Sequence, residues 1–118
     1  MTHAPLPLES IRVVEFSHMV MGPTCGLVLA DLGADVVKVE PAPDGDKTRR
    51  LPGSGAGFFG TYNRNKRSIS VNLKSVEGLE FAKNLVRASD VLLENFSAGV
   101  MDRLGLGYDA MQEINPSL

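Results

Sequence analysis

Apolar, β-branched residues are concentrated in four short segments of the chain, each closed by turn-forming or helix-breaking residues. This pattern is typical of buried β-strands. The four predicted strands are Ile11–Ser17, Asp35–Glu40, Ser68–Leu73 and Asp90–Phe96. Helical patterns connect the first strand to the second and the third to the fourth. We therefore predict two β-α-β units and a mostly parallel sheet with right-handed crossovers.

The segment between the first two strands has apolar residues at helical spacing. Cys25, Val28, Leu29 and Leu32 fall at positions i, i+3, i+4 and i+7, while Asp31 points the other way. This spacing predicts one buried helical face. We therefore expect Cys25 to be a core residue rather than a nucleophile.

A second helix is predicted between the third and fourth strands. Ser75 can cap its start, and the pattern continues to about Ala88. Its buried face would consist of Leu79, Ala82, Leu85 and Val86. Lys83 and Arg87 fall on the opposite side, where they would stay in water.

The connection Pro41–Asn65 follows neither the strand period nor the helix period and is rich in proline and glycine. A compact domain seldom carries so long a structureless connection unless it acts as a lid or a binding loop. Its glycine cluster Gly53–Gly57 follows no strand and precedes no Lys-Ser/Thr pair, which favours a flexible loop over a phosphate cradle. The basic stretch Asn63–Ser68 fits either a solvated strand entrance or a phosphate site.

The order of elements predicts an α/β, Rossmann-like fold, in which flanking helices cover a mostly parallel sheet. We expect the sheet to be incomplete, because residues 115–118 have the pattern of a helix-to-strand turn and no strand pattern follows it. Two β-α-β units would leave an exposed strand edge, and such edges are normally covered or paired.

Composition narrows the functional classes. The 118 residues include 12 Lys and Arg against 14 Asp and Glu, so no basic excess suggests nucleic-acid binding. One cysteine excludes an internal disulfide and fits a reducing compartment, and no apolar run is long enough for a membrane span. Neither a zinc spacing nor a calcium loop is present. We expect a cytoplasmic protein without a metal site.

Several polar residues would meet where the strands end. The free N–H groups at Gly22-Pro23 open a helix and suit an anion, and Glu40 occupies the place of a ribose-binding acid in dinucleotide folds. The G-x-G-x-x-G fingerprint is missing, however, so NAD binding is disfavoured, and Glu40 could simply be a solvated strand-end residue. Lys74 and Asn95 should converge near this helix start, which favours a phosphorylated ligand.

His18, in the same region, has the chemistry of a general base. No serine or cysteine nucleophile can be paired with it from the sequence. An ordinary loop histidine is therefore the favoured interpretation.

A set of motifs in fixed order is similar to the N-terminal part of family III CoA-transferases, the CaiB/BaiF family. The matching pieces include LADLGADVVKVE, NRNKRSI, LLENF and DRLGLGY, and the resemblance runs from about Pro7 to the end of the chain. It implies a Rossmann-like large domain, of which residues 1–118 would be the N-terminal part, with the second domain absent. It also implies an interlocked homodimer.

The same resemblance implies a coenzyme A site. The residues that would bind CoA are Val20, Met21, Val71, Asn72, Leu73, Lys74, Asn95, Phe96, Ser97 and Arg103. Two positions depart from the family pattern. Val20 stands where some members have a glutamine, and Pro41 stands where some have an arginine, which puts a CoA contact at Pro41 in doubt.

The function that this resemblance implies is transfer of CoA between carboxylic acids through an enzyme aspartyl intermediate. Acyl-CoA would be a substrate, no cofactor would be permanently bound, and neither nucleic acid nor membrane would be a partner. The nucleophilic aspartate would lie beyond Leu118, so we expect this chain alone to be inactive. An acyl-CoA racemase of the same family and a non-catalytic CoA- or nucleotide-binding module remain as alternatives.

Overall fold

The computed structural model describes residues 3–118 and contains one four-stranded parallel sheet in this part of the chain. The strands are β1 (Arg12–Phe16), β2 (Asp35–Pro41), β3 (Arg67–Val71) and β4 (Val91–Glu94), in the order β3-β2-β1-β4. Every neighbouring pair is parallel. The α/β fold with a parallel sheet is confirmed, and no strand end differs from the predicted one by more than two residues.

Helices cover both faces of the sheet. They are α1 (Met21–Asp31), α2 (Phe58–Tyr62), α3 (Val76–Arg87), α4 (Val100–Arg103) and α5 (Tyr108–Ile114). On one face, Ala30 of α1 packs against Val13 and Val36. None of the helices within residues 3–118 has the length and apolar character that crossing a bilayer requires.

The face opposite α1 carries the larger apolar core. Strand residues Val14, Phe16 and Val39 pack there against Ala82 and Val86 of α3. The remaining buried members of this core are Val71, Met101, Leu106 and Met111.

Helix α3 has the predicted form. The Ser75 hydroxyl accepts a hydrogen bond from Gly78 N–H at 3.0 Å, so it caps the helix as expected. Ala82 and Val86 are fully buried, and Leu79 and Leu85 pack at the edge of the core.

The predicted buried face of α1 is wrong except at Leu29, which packs at the edge of the smaller core. Cys25 and Val28 are exposed, and the helix instead buries its small residues, Gly22, Pro23, Gly26 and Ala30. The reason is a close approach, because a Cβ atom at Gly26 would collide with the carboxylate of Glu15 on the sheet. There is therefore no room for a larger side chain where α1 crosses Glu15, and Cys25 and Val28 lie on the outer side of the helix.

The connection Pro41–Asn65 is also more ordered than predicted. It forms two 3₁₀ turns, Lys47–Arg50 and Gly53–Gly55, followed by α2. The guanidinium of Arg49 lies 3.8 Å from the centre of the Phe59 ring, which joins the first turn to α2. The segment is therefore a folded connection rather than a structureless lid.

Candidate functional site at the carboxyl ends of the strands

A groove of about 360 Å³ opens where the strands end. It is lined by Phe16, Val39, Pro41, Ala42, Val71, Asn72, Leu73, Lys74, Phe96, Val100 and Leu104. A second cavity of about 240 Å³ adjoins it and shares Val39, Pro41 and Phe96. Ser17, His18, Asp46 and Lys47 complete this second cavity. We call these two adjoining cavities the channel; most of their lining is apolar, with Asn72 and Lys74 on the first cavity and Asp46 and Lys47 on the second.

Half of the predicted CoA-binding residues line this groove: Val71, Asn72, Leu73, Lys74 and Phe96. The Asn72 side-chain oxygen accepts a hydrogen bond from Lys74 N–H at 3.1 Å, which shapes the turn after β3. The Lys74 side chain is exposed, and no carboxylate within residues 3–118 forms a salt bridge with it. Its ammonium group is therefore available to an anion.

Asn95 fixes the turn after β1 instead of lining the groove. Its Oδ1 accepts a hydrogen bond from His18 N–H, and its Nδ2 donates to the His18 carbonyl, both at 3.0 Å. A Cβ atom at Gly22 would lie only 2.6 Å from Asn95 Cγ. Glycine at position 22 therefore permits the close contact between the start of α1 and the end of β4.

The other four predicted residues line neither cavity of the channel. Val20 precedes α1, and Met21 begins this helix with its side chain 80% exposed. The Ser97 carbonyl accepts a hydrogen bond from Val100 N–H at 3.1 Å, at the start of α4. Arg103 ends α4 and is exposed.

The imidazole of His18 packs against the ring of Phe96. The ring centres are 5.4 Å apart, and the planes are inclined by 38°. His18 is exposed and lines the second cavity. The two rings therefore form part of the channel wall.

A buried charged cluster beneath α1 was not predicted from the sequence. Lys38 lies 3.0 Å from Asp46 and 3.8 Å from Glu15, and Lys66 donates to Glu15 at 2.9 Å. All four side chains are at most 2% exposed. Burial lowers the pKa of Lys66, although its hydrogen bond to Glu15 acts in the opposite direction. No group of His, Cys, Asp and Glu within residues 3–118 is arranged to hold a metal ion.

One sequence signal could have revealed this cluster. Each of the first two strands has one charged residue directly between two apolar ones, Glu15 in RVVEF and Lys38 in DVVKVEP. These residues are direct partners in the parallel register of β1 and β2. Opposite charges inside adjacent buried strands indicate an internal ion pair.

Glu40 is neither a solvated residue nor free to bind a ribose. Its carboxylate accepts two hydrogen bonds from Arg49, at 2.8 and 2.7 Å, one from Asp46 N–H and one from Ser68 Oγ. Burial alone would raise the pKa of Glu40, but these hydrogen bonds outweigh it and lower the pKa to about 2. Glu40 therefore anchors the connection after β2.

The three cationic side chains of the basic stretch Asn63–Ser68 all form ion pairs within the chain. Arg64 makes a bidentate pair with Asp31, and Arg67 makes one with Asp35, both on the surface at the amino end of the sheet. The hydrogen bonds from Arg64 lower the pKa of Asp31. Because Lys66 is also paired, the structure favours a strand entrance over a phosphate site here.

Comparison with known proteins gives one matching family model, CoA-transferase family III, over residues 8–118. A formyl-CoA:oxalate CoA-transferase of Streptomyces coelicolor is 48% identical over 115 residues, which are 94% of this chain and 28% of that protein. The chain thus spans slightly more than a quarter of the length of the curated relatives it matches.

Solved structures are similar to this chain in both fold and sequence. The crystal structure of a mutant of Rv3272 from Mycobacterium tuberculosis superimposes with a TM-score of 0.92 at 39% identity, covering 98% of this chain and 32% of that one. A CAIB/BAIF family protein from Brucella suis gives a TM-score of 0.85 at 41% identity, covering 95% and 32% respectively.

Proposed function

We propose, from the premise that this chain belongs to CoA-transferase family III, that its groove binds the CoA portion of an acyl-CoA thioester. The observation that carries the proposal is the convergence of Val71–Lys74 and Phe96 on one groove at the carboxyl ends of the strands. Ligands of open α/β sheets bind at this edge. The same residues are those that the family resemblance implies for CoA.

The chemistry of the channel suits the parts of CoA. Its apolar walls, such as Val39, Phe96 and Leu104, match the adenine ring and the pantetheine chain. Lys74 lines one cavity and Lys47 the other, and both are exposed cations that can approach phosphate groups. A flexible ligand with a charged middle and apolar arms would satisfy both kinds of surface.

We further propose that the complete enzyme transfers CoA between carboxylic acids. An enzyme aspartate attacks the acyl-CoA carbonyl and expels the CoA thiolate, which leaves a mixed anhydride on the enzyme. The thiolate then attacks the aspartyl carbonyl, releases the first acid and forms an enzyme thioester. Attack by the second carboxylate, followed by return of the thiolate, gives the new acyl-CoA and the free aspartate.

In this scheme the residues described here bind CoA and supply binding energy far from the reacting carbonyl. The nucleophilic aspartate would come from the part of the family's length that this chain does not span. The proposal includes an interlocked homodimer, a cytoplasmic location and no permanently bound cofactor. The relatives named formyl-CoA:oxalate CoA-transferases make a short acyl-CoA and a small carboxylic acid the first substrates to try.

The binding proposal is tested by titrating the 118-residue chain with CoA in a calorimeter. We expect binding, and we expect Lys74→Ala to weaken it about ten-fold through loss of one phosphate contact. Lys83→Ala on α3 is the matched control, because Lys83 does not line the groove, and it should change the affinity less than two-fold. An unchanged affinity in Lys74→Ala would remove this lysine from the site, and absence of binding would overturn the proposal.

Activity is tested by mixing the chain with acyl-CoA and an isotopically labelled carboxylic acid. We expect no label in the acyl-CoA, because the residues described here would bind CoA without supplying the nucleophile. Transfer of label by the pure chain would show that a nucleophile lies among these residues.

A further inference from the structure

The turn Ser17–Met21, which leads from the end of β1 to the first residue of α1, has a backbone conformation that its sequence does not favour. Met19 has a φ angle of +63°, in the left-handed region that residues with a Cβ atom seldom adopt. Such a residue keeps this conformation only when its surroundings hold it there, and these residues cluster at ligand-binding sites. The turn lies at the carboxyl end of β1, where His18 lines the channel.

Side chains from three other parts of the fold hold three consecutive residues of this turn. Lys38 of β2 donates to the Ser17 carbonyl at 2.8 Å. Asn95, after β4, binds both backbone groups of His18. Thr48, in the connection after β2, accepts a hydrogen bond from Met19 N–H through its hydroxyl at 2.9 Å.

Thr48 is itself fixed by the buried charged groups. Its side chain is buried, and its N–H donates to Asp46 Oδ1 at 2.8 Å. Asp46 is held in turn by Glu40, which accepts from its N–H at 2.8 Å, and by the ammonium of Lys38 at 3.0 Å. The first part of the connection Pro41–Asn65 therefore links the sheet to the turn Ser17–Met21 through hydrogen bonds and an ion pair.

We infer that Lys38 and Thr48 are positioning residues that hold the turn Ser17–Met21 in the left-handed conformation that receives the pantetheine end of CoA. This inference rests on the proposed function, since it takes Val20 and Met21, two of the residues that the family resemblance implies for CoA, to adjoin its pantetheine. Neither Lys38 nor Thr48 needs to touch the ligand. Their effect passes through the Ser17 carbonyl and the Met19 N–H.

The conformational part of the inference is tested without any ligand. Thr48→Val keeps the shape of the side chain and removes the acceptor for Met19 N–H. By backbone NMR, we expect the Met19 amide to exchange with solvent about ten-fold faster and its H–N–Cα–H coupling to leave the left-handed value. The amides of Asn72–Ser75 should not change. Thr61→Val, at an exposed position of α2, is the matched control.

The ligand part compares CoA with adenosine 3′,5′-bisphosphate, which lacks the pantetheine. Thr48→Val should weaken CoA binding about ten-fold and leave the affinity for the bisphosphate within two-fold. Met19→Gly supplies a rescue, because glycine adopts positive φ without penalty. In a Met19→Gly background, Thr48→Val should change CoA affinity less than two-fold.

The outcomes separate the inference from the function on which it rests. If the wild-type chain binds neither ligand, the proposed function fails, and the NMR result still decides whether Thr48 holds the turn. An unchanged Met19 coupling in Thr48→Val overturns the inference. Equal weakening of both ligands, or no rescue by Met19→Gly, would show a general structural role instead. The second variant combines Lys38→Met with Asp46→Asn, which removes the donor to the Ser17 carbonyl without leaving an unpaired buried carboxylate, and it should affect the two ligands in the same unequal way.

Discussion

Two arginine–carboxylate pairs at opposite ends of the sheet have nearly the same geometry and very different surroundings. Arg49 with Glu40, after β2, and Arg64 with Asp31, at the amino end, are both bidentate, each with a closest contact of 2.7 Å. The Glu40 side chain is 2% exposed, whereas that of Asp31 is 39% exposed. Water screens the second pair and hardly reaches the carboxylate of the first.

The difference in surroundings corresponds to a difference in role. An exposed ion pair adds little to the free energy of unfolding, because water solvates its two groups almost as well when they are apart. A buried carboxylate has no such alternative, so loss of its partner leaves an uncompensated charge. The buried charges of this chain also connect to the turn Ser17–Met21 through Lys38 and Asp46. The pairs at the amino end of the sheet join only exposed side chains.

The largest expected effect comes from Lys38→Met, which removes an ammonium that faces Glu15 and Asp46. We expect the free energy of unfolding to fall by about 3–5 kcal/mol, because a buried carboxylate loses its partner. The double variant with Asp46→Asn should be less destabilised than the sum of the single changes, since it restores neutrality in the cluster. Urea denaturation of the four proteins measures this coupling.

The choice of asparagine at position 46 keeps an oxygen that can accept the Thr48 N–H. The double variant therefore differs from Asp46→Asn only in the buried ammonium. Strict additivity of the two changes would mean that Lys38 and Asp46 do not interact. The distinction between buried and exposed pairs would then fail.

The buried charges also explain where sequence-based prediction succeeded and where it failed. Strand positions, their parallel pairing and the cap at Ser75 depend on local patterns, and the structure confirms them. The face of α1 depends on what lies under the helix. Spacing alone placed Cys25 inside, but the Glu15 carboxylate leaves room there only for a residue such as Gly26.

The candidate site, like the fold, could be predicted from the sequence only in part. Residues in the turns after β3 and β4, such as Lys74 and Phe96, meet because parallel strands end at one edge. Thr48 could not be predicted, since it reaches Met19 across 29 positions through a proline- and glycine-rich connection without periodicity. Only the folded chain shows that this connection supports the turn after β1.

A second prediction concerns the pH dependence of stability. The pKa of Glu40 is about 2 in the folded chain and 4.5 by its ordinary value, so folding favours the ionised form. This contribution, at most about 3 kcal/mol, should be complete above pH 4.5 and disappear as the pH falls towards 2. The difference in unfolding free energy between wild type and Glu40→Gln should shrink over this range.

Glu113→Gln, at an exposed position of α5, controls for the loss of one surface carboxylate. Urea titrations at intervals between pH 2.5 and 6 would supply the comparison for both variants. A difference between wild type and Glu40→Gln that stays constant with pH would mean that Arg49 and the Asp46 N–H do not stabilise the ionised carboxylate.

The smallest expected effect lies at the amino end, in the pair of Arg67 and Asp35. These side chains are 69% and 46% exposed, and their hydrogen bonds are as short as those around Glu40. Arg67→Gln should lower the free energy of unfolding by only about 0.2–1 kcal/mol, and added salt should reduce the difference because it screens exposed charges. Urea denaturation at low and high ionic strength measures both quantities.

A loss as large as that of Lys38→Met would show that bond geometry, rather than burial, sets the strength of these pairs. A small, salt-sensitive loss would show that the same contacts stabilise the chain strongly only where the sheet excludes water.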